Sequence, residues 1–392
     1  MRDKNLASAL IFNYEHFENI LIIILIFVNN FLKFTKSSNY FTLITEAFKE
    51  SNATITVYIK NSPKCLLNLS DFKYLLEPEV CQNHKRELLA LLIITSYAGH
   101  DNLRAAHRQA ISQAKLSALG LQRVFLLAAI PPQEHFIAQS QLINEQQRFG
   151  DLLQGNFLEA YRNLSYKHVM GLQWSSSTHC KKAKFIIKID DDIIYDVFQI
   201  KRYLESLEVS KAGIAKSANF LAGYVLKNKA VIRNQANKWY VSPEEYSKNQ
   251  YPDYLSGWLY ITNSRTAQRL VYYSYETPIF WIDDLWLTGI VRHQIGINLT
   301  MLNSWFSANS QFLECCVRDL KQHFLECEYY VGPNGGNSKL LVEFLHNVEK
   351  CYYDECSKRS KEQNLTQTCV TSYQRRLPEH GKAVVNPLKL KR

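Results

Sequence analysis

The chain has 392 residues, 46% hydrophobic and 21% charged, which is ordinary globular composition and excludes disorder as the default; its length suits one large α/β domain or two smaller ones. The net charge of +10 comes from scattered Lys and Arg, without a dense basic helix or zinc-finger spacing, so a nucleic-acid partner is not expected. We read the charge as solubility, with an added attraction for anionic small molecules.

Residues 20–28 are uninterrupted hydrocarbon, extended weakly by Phe31, Leu32 and Phe34. That run is shorter than the ~20 residues a spanning helix prefers. No small-residue cleavage site follows it, which favours an uncleaved signal-anchor over 20–36 behind a short cytoplasmic tail at 1–19, with a cleaved signal as the alternative. Arg2 and Lys4 on one side balance Lys33 and Lys36 on the other, so charge leaves the orientation open. Residues 37–84 lack sustained periodicity, as a stem would. Sequons at Asn52, Asn68, Asn163, Asn298 and Asn364 all follow the apolar run and favour luminal exposure, though an Asn-rich chain makes several by chance.

A buried strand is expected over 88–96, ended by Gly99, then a helix over about 102–119 and a second buried strand over 124–130, closed by Pro131 and Pro132. Strand, helix and strand at this spacing make a βαβ unit. A helix is expected over 140–149, and Leu158, Tyr161, Leu164, His168 and Leu172 recur at helical spacing to mark another.

Lys184-Phe185-Ile186-Ile187-Lys188-Ile189 then reads as a strand buried on both faces, and it delivers Asp190, Asp191 and Asp192 at its end. Ligands of such sheets bind beyond the carboxyl ends of the strands. Three adjacent carboxylates repel unless a cation neutralises them, and an all-oxygen set suits Mn²⁺ or Mg²⁺ rather than zinc. The competing explanation is a solvated acidic turn.

Downstream, an aromatic loop at 251–258 holds Tyr251, Tyr254, Gly257 and Trp258 and leads into a short strand at 259–262. Such a loop can stack on a base or sugar face, although aromatic residues are more often simply core. Asp283 and Asp284 form a second acidic pair between Trp281 and Trp286; one of them caps a helix beginning near Leu285, or the pair is functional. Nine cysteines, six of them after residue 314, point to disulfides in an oxidising lumen, and the odd number leaves at least one thiol free or paired between chains. An amphipathic stretch on Leu340, Leu341, Phe344, Leu345 and Val348 is read as packing.

An ordered series of motifs carries a resemblance. Phe149-Gly150-Asp151 is followed by Tyr161-Arg162-Asn163-Leu164-Ser165-Tyr166-Lys167, then by Trp174, Cys180 and Lys188-Ile189-Asp190-Asp191-Asp192. Lys238-Trp239-Tyr240-Val241-Ser242 then runs into Tyr251-Pro252-Asp253-Tyr254-Leu255-Ser256-Gly257-Trp258. From about residue 88 to 289 the chain resembles the β-1,3-galactosyltransferase family of Golgi β-1,3-glycosyltransferases, which includes β-1,3-N-acetylglucosaminyltransferases.

The resemblance implies a type A glycosyltransferase fold, an α/β domain with a mixed central sheet flanked by helices, as a single catalytic domain (85–305) behind a type II membrane anchor in the Golgi. Residues 306–392 are then a Cys-containing C-terminal extension. It further implies a Mn²⁺ (or Mg²⁺) site on Asp190, Asp191 and Asp192, with Asp192 the leading direct ligand. The catalytic acidic pair falls on Asp283 and Asp284, with Asp284 as the base. Arg104 and Arg108 serve the nucleotide, joined on the donor side by Lys188, Gly257 and Trp258, while Trp239, Tyr240 and Tyr254 face the acceptor. Ile111 in place of a tryptophan, His107 in place of an aliphatic residue, and the shortened Asp283 depart from the pattern.

The implied chemistry is single-displacement, inverting transfer of a hexose, galactose foremost, from a UDP-sugar to a glycan hydroxyl on glycoprotein or glycolipid. The alternatives are a β-1,3-N-acetylhexosaminyltransferase with the same mechanism and an inactive glycan-binding relative. An aspartyl-phosphate enzyme expects Asp-X-Asp-X-Thr and finds Ile194 at the last position.

Overall fold

Residues 65–81, 87–177, 183–209 and 219–370 are described by a computed structural model and centre on one eight-stranded mixed sheet. The tail, the apolar run at 20–36, most of the stem, and Asn52 and Cys180 lie outside the described residues. Among the described residues no helix is long and apolar enough to cross a membrane.

The elements run in chain order from β1 (Tyr74–Leu76) and β2 (Leu88–Thr95) through α1 (Asp101–Ala110), α2 (Gln113–Ala118), β3 (Leu121–Ala129), α3 (Gln139–Phe149) and β4 (Leu152–Leu158). Next come α4 (Leu164–Ser176), β5 (Ala183–Asp190), β6 (Ile193–Tyr195), α5 (Val197–Val209), β7 (Leu221–Leu226), β8 (Tyr254–Asn263) and α6 (Ser264–Ser274). A π-helical segment (Leu285–Val291), β9 (Thr300–Met301), α7 (Ser310–His323), β10 (Val331–Pro333) and α8 (Ser338–Asp354) follow, with short helical turns between and after them.

Sheet order is β1-β4-β3-β2-β5-β8-β7-β9. Strands β4, β3, β2 and β5 are mutually parallel, β8 is antiparallel to β5 and β7, and β1 is antiparallel to β4. The chain winds outward from β2 to β4 and returns to β5 on the other side of β2. That reversal opens a crevice beyond the carboxyl ends of β2 and β5, where α/β sheets bind ligands. The parallel strands are near-continuous Leu, Ile and Val because both faces are covered: in β2, residues 90–94 are each 0% exposed.

Several expected elements are corrected. The helix over 102–119 is two helices, because Ile111 turns extended and the Ser112 hydroxyl accepts from Lys115 N to restart the coil. Leu158 belongs to β4, a strand missed because the polar Gln154 and Asn156 and the small Gly155 blur its apolar run. The loop at 251–258 is extended from Tyr254 onward, so Gly257 and Trp258 lie within β8.

Residues 306–370 are not a separate extension. Leu313, Val317, Leu320, Phe344, Leu345 and Val348 share one hydrophobic core with Leu92, Ile187 and Ile189. Helix α8 packs on α1 and α7, and β10 pairs antiparallel with β6, immediately after the aspartate triplet. Disulfides Cys315–Cys369, Cys316–Cys327 and Cys351–Cys356 tie this segment, Cys81 is also disulfide-bonded, and Cys65 is a free thiol.

Candidate active site

The crevice begins with two carboxylate groups brought together by β5, β8 and the π-helical segment. Lys188 and Tyr260 are register partners on β5 and β8. The buried Lys188 Nζ donates to Asp190 Oδ1 at 2.5 Å and to the Gly257 carbonyl at 2.5 Å. Gly257 N donates in turn to Asp284 Oδ2 at 2.9 Å. A continuous chain of contacts therefore joins the aspartate triplet to the acidic pair.

The triplet does not act as one cluster. Asp190 closes β5, whereas Asp191 and Asp192 form the tight turn into β6, and that turn carries the Asp191 side chain toward Ser96 and His100. Its Oδ2 accepts from Ser96 Oγ (2.7 Å) and lies 2.9 Å from His100 Nδ1. Burial pushes the Asp191 carboxyl up, but the His100 and Ser96 hydrogen bonds outweigh this and hold it below the usual range. Asp191 Oδ2 is thereby engaged within the protein. Asp190 is committed on one oxygen to Lys188, and burial dominates to raise its carboxyl. Asp192 is exposed in the crevice, and the surrounding protein and the Asp191 charge push its carboxyl up. Among the described residues no three acidic, His or Cys side chains converge as a cation cage. What Asp190 and Asp192 do fit is a hard cation held by one or two carboxylates and completed by substrate phosphates.

The triplet's backbone is fixed by residues that sequence reasoning passed over. His107, the departure from pattern in α1, is fully buried, held neutral by burial, and bonded through Nε2 to the Asp191 carbonyl at 2.9 Å. A carbonyl only accepts, so Nε2 carries the proton. Asn334 N, following β10, donates to the Asp192 carbonyl at 2.9 Å. Lys167 is buried on α4; its ammonium donates to Ser96 O (2.7 Å) and to both Glu159 oxygens (2.7 Å each).

Arg104 and Arg108 both lie on α1. Arg104 is 0% exposed and spends its guanidinium on Glu145 (2.8 Å twice), Tyr97 O (2.7 Å) and Ala98 O (3.0 Å). Arg108 is bidentate to Asp151 (3.0 and 2.7 Å) and also donates to Glu145. Both are matched to carboxylates and brace the turn after β2.

At the opposite wall, Asp284 Oδ1 accepts from Leu285 N at 2.7 Å and so caps the π-helical segment. Burial first, and then the Asp283 charge, push the Asp284 carboxyl up to about 7. A Cβ on Gly257 would sit 3.3 Å from Asp284 Oδ2 and 3.5 Å from Lys188 Nζ, which explains glycine in mid-strand. Trp258 is half-buried against the core.

An aromatic group lies beside the pair. Trp239 Nε1 donates to the Tyr161 hydroxyl at 2.8 Å, and the Tyr161 ring lies 6.0 Å from that of Trp281. Burial and the Asp284 and Asp283 charges push the Tyr161 phenol up to about 12, against the Trp239 hydrogen bond. Tyr254 is raised by burial and by Asp284, while Tyr240 is half-buried near the same strip. A cleft of about 330 Å³ opens next to it, lined by Arg162, Tyr166, Glu245, Phe280 and Trp281. Of the sequons, Asn298 and Asn68 are exposed, whereas Asn163 donates to Leu158 O and the Asn364 side chain caps a helical turn at Thr366 N.

A mixed α/β domain whose crevice joins an acidic triplet to an acidic pair has the layout of a sugar-nucleotide-dependent transferase. The galactosyltransferase family model matches residues 102–303, just over half of the chain, and the protein belongs to that family. Human β-1,3-galactosyltransferase 2 is 24% identical over 305 residues, covering 75% of this chain and 66% of that protein. The lactosylceramide 1,3-N-acetyl-β-D-glucosaminyltransferase B of Xenopus laevis is 32% identical over 241 residues, covering 61% of this chain and 58% of its own. In both cases the chain spans under two thirds of the relative's length. Human β-1,3-galactosyltransferase 5 is 28% identical over 294 residues, with 73% and 86% covered. Among solved structures, the apo WbbM bifunctional glycosyltransferase superposes with a TM-score of 0.37 at 11% identity, over 70% of this chain and 53% of that one, a likeness too distant to carry an argument.

Proposed function

We propose that this protein is an inverting glycosyltransferase of type A architecture that moves a hexose, galactose foremost, from a UDP-sugar to a glycan hydroxyl with β-1,3 linkage. The observation that supports this is the contact chain Asp190–Lys188–Gly257–Asp284, which joins in one crevice the acid that this reading assigns to the diphosphate and the acid that it assigns to the acceptor's proton. Asp192, with Asp190 beside it, would hold Mn²⁺ or Mg²⁺, and the ion would supply charge stabilisation to the departing diphosphate. Asp284 takes the acceptor hydroxyl's proton; its raised carboxyl suits a base working near neutrality. Tyr161, Trp239 and Trp281 offer apolar ring faces on which the acceptor's sugar rings rest.

The Xenopus relative's printed name keeps N-acetylglucosamine as the second donor, with the same mechanism. A glycan-binding protein without turnover is the reading from another class. On the apolar run at 20–28, the sequons and the disulfides, we place the domain in the Golgi lumen behind a membrane anchor. Incubating the full chain with UDP-galactose or UDP-N-acetylglucosamine, an acceptor panel and Mn²⁺, and reading product linkage by mass spectrometry and NMR, tests the proposal. A β-1,3-linked product is expected. Acceptor binding without product from either donor would sink the transferase reading.

A further inference from the structure

Behind Asp284 lies a line of side chains that the transfer step leaves unused. His168, midway along α4, is 1% exposed; its Nδ1 is 2.9 Å from Asp283 Oδ2, and its Nε2 is hydrogen-bonded to the Tyr260 hydroxyl. An ionised carboxylate accepts only, so Nδ1 carries the proton. Burial holds the imidazole neutral, which leaves Nε2 to accept from Tyr260, itself 0% exposed. The resulting order, Tyr260 O–H to His168 to Asp283, ends on the residue adjacent to the base.

We propose that His168 and Tyr260 are positioning residues that pin Asp283 as an anion against Asp284 and thereby set the basicity of Asp284. The inference rests on the reading of Asp284 as the base. Its logic is electrostatic. A Lys or Arg in place of His168 would also hold Asp283 ionised, but its charge would cancel the effect of Asp283 on Asp284. A neutral imidazole donates a hydrogen bond and adds no charge, so Asp283 stays negative and uncompensated from that side. Burial alone would push the Asp283 carboxyl up, yet the His168 hydrogen bond and the Lys188 charge bring it below the usual range. The other groups facing the acidic pair are Lys188 and Asp190 from β5, Tyr254 and Tyr260 from β8, and Tyr161 from the turn before α4. Of these only Lys188 is cationic, and it is shared with Asp190.

The test follows the Asp284 carboxyl carbon by NMR in the full chain labelled at Asp Cγ, assigned with Asp284→Asn, so it needs no turnover. In His168→Phe, which keeps ring volume but loses both hydrogen bonds, Asp283 takes up a proton and Asp284 titrates at least one unit lower, about a tenfold change in proton affinity. Asp283→Asn gives the same shift, and the double variant adds nothing to it. His168→Asn places an amide N–H where Nδ1 stood and restores the titration. The acid limb of kcat/KM moves with the titration, and donor KM stays unchanged. If His168→Phe does not fold, the His168→Asn and Asp283→Asn pair still decides: a titration lowered by the second but not the first supports the relay. An Asp284 titration that stays put in folded His168→Phe or in Asp283→Asn overturns it. A shifted titration in a protein that transfers no sugar would instead keep the relay and discard the transferase.

Discussion

Asp190, Asp191 and Asp192 at the end of β5 and Asp283 and Asp284 before the π-helical segment are both runs of adjacent acids, and they fold into opposite situations. At the tight turn from β5 into β6 the middle carboxylate is drawn into Ser96 and His100 while Asp192 stays open to the crevice. On helical backbone neighbours are only about 100° apart, and Asp283 and Asp284 both face the same charged layer beneath Lys188. Adjacent acids face a common layer when they sit on one turn of helix, and part where a strand breaks into a tight turn.

The acidic pair is where the largest effect is expected. Asp284→Asn preserves shape but deletes the base, so kcat should fall by ~10²- to 10⁴-fold while calorimetry shows donor binding unchanged. The native enzyme works through the ionised form of a carboxyl pushed up to about 7. Its kcat/KM should therefore climb as pH rises through that region and level off above it. A limb near the ordinary carboxylate value would show that burial and Asp283 do not tune this group, and an unchanged kcat in Asp284→Asn would reduce it to a helix cap.

Within the triplet the comparison becomes a ranking. Asp192→Asn should abolish the Mn²⁺ dependence of UDP binding, with a ~10²-fold or larger loss of affinity measured with metal and none with EDTA. Asp191→Asn removes a charge that serves Ser96 and His100, and its effect on Mn²⁺-dependent UDP binding should be about tenfold, the scale of an outer hydrogen-bonding partner. Equal losses from the two changes would restore the picture of three ligands around one ion.

Much of this was legible in the residues. The β-branched and Leu-rich runs marked β2, β3 and β5, and the Pro and Gly that close them placed the βαβ unit. The acids at both walls stood out because charge among apolar residues needs a reason. The aim of each carboxylate was not legible, since the turn after β5 decides where each one points, and no local pattern announces that Asp191 will meet His100. The carboxylate partners of Arg104 and Arg108 were hidden for a related cause: Glu145 and Asp151 are about forty residues away, and only the fold brings them within reach. The role of 306–370 was hidden because β10 reaches the triplet through backbone groups, which carry no side-chain signature. His107 was visible as a departure from the family pattern and His168 only as one member of a helical periodicity, and each proved to be a neutral donor to an acidic segment.

The smallest and sharpest probe of the two walls is the glycine between them. Gly257 accepts from Lys188 and donates to Asp284, so its backbone carries the link while its missing side chain lets the three groups approach. In Gly257→Ala the new methyl would stand 3.3 Å from Asp284 Oδ2 and 3.4 Å from Asp284 Cβ, closer than most such contacts, so one neighbour must yield by a few tenths of an ångström. β8 is held on both sides by β5 and β7, and Asp284 is anchored at Leu285 N, so the yielding falls on the carboxylate's aim rather than on the fold. The expected result is a kcat several-fold lower, a melting temperature within about 2–4 °C of the native protein, and Mn²⁺-dependent UDP binding unchanged. If UDP binding falls together with kcat, the two walls move as one body, and the division of labour between Asp192 and Asp284 is less complete than their hydrogen bonds imply.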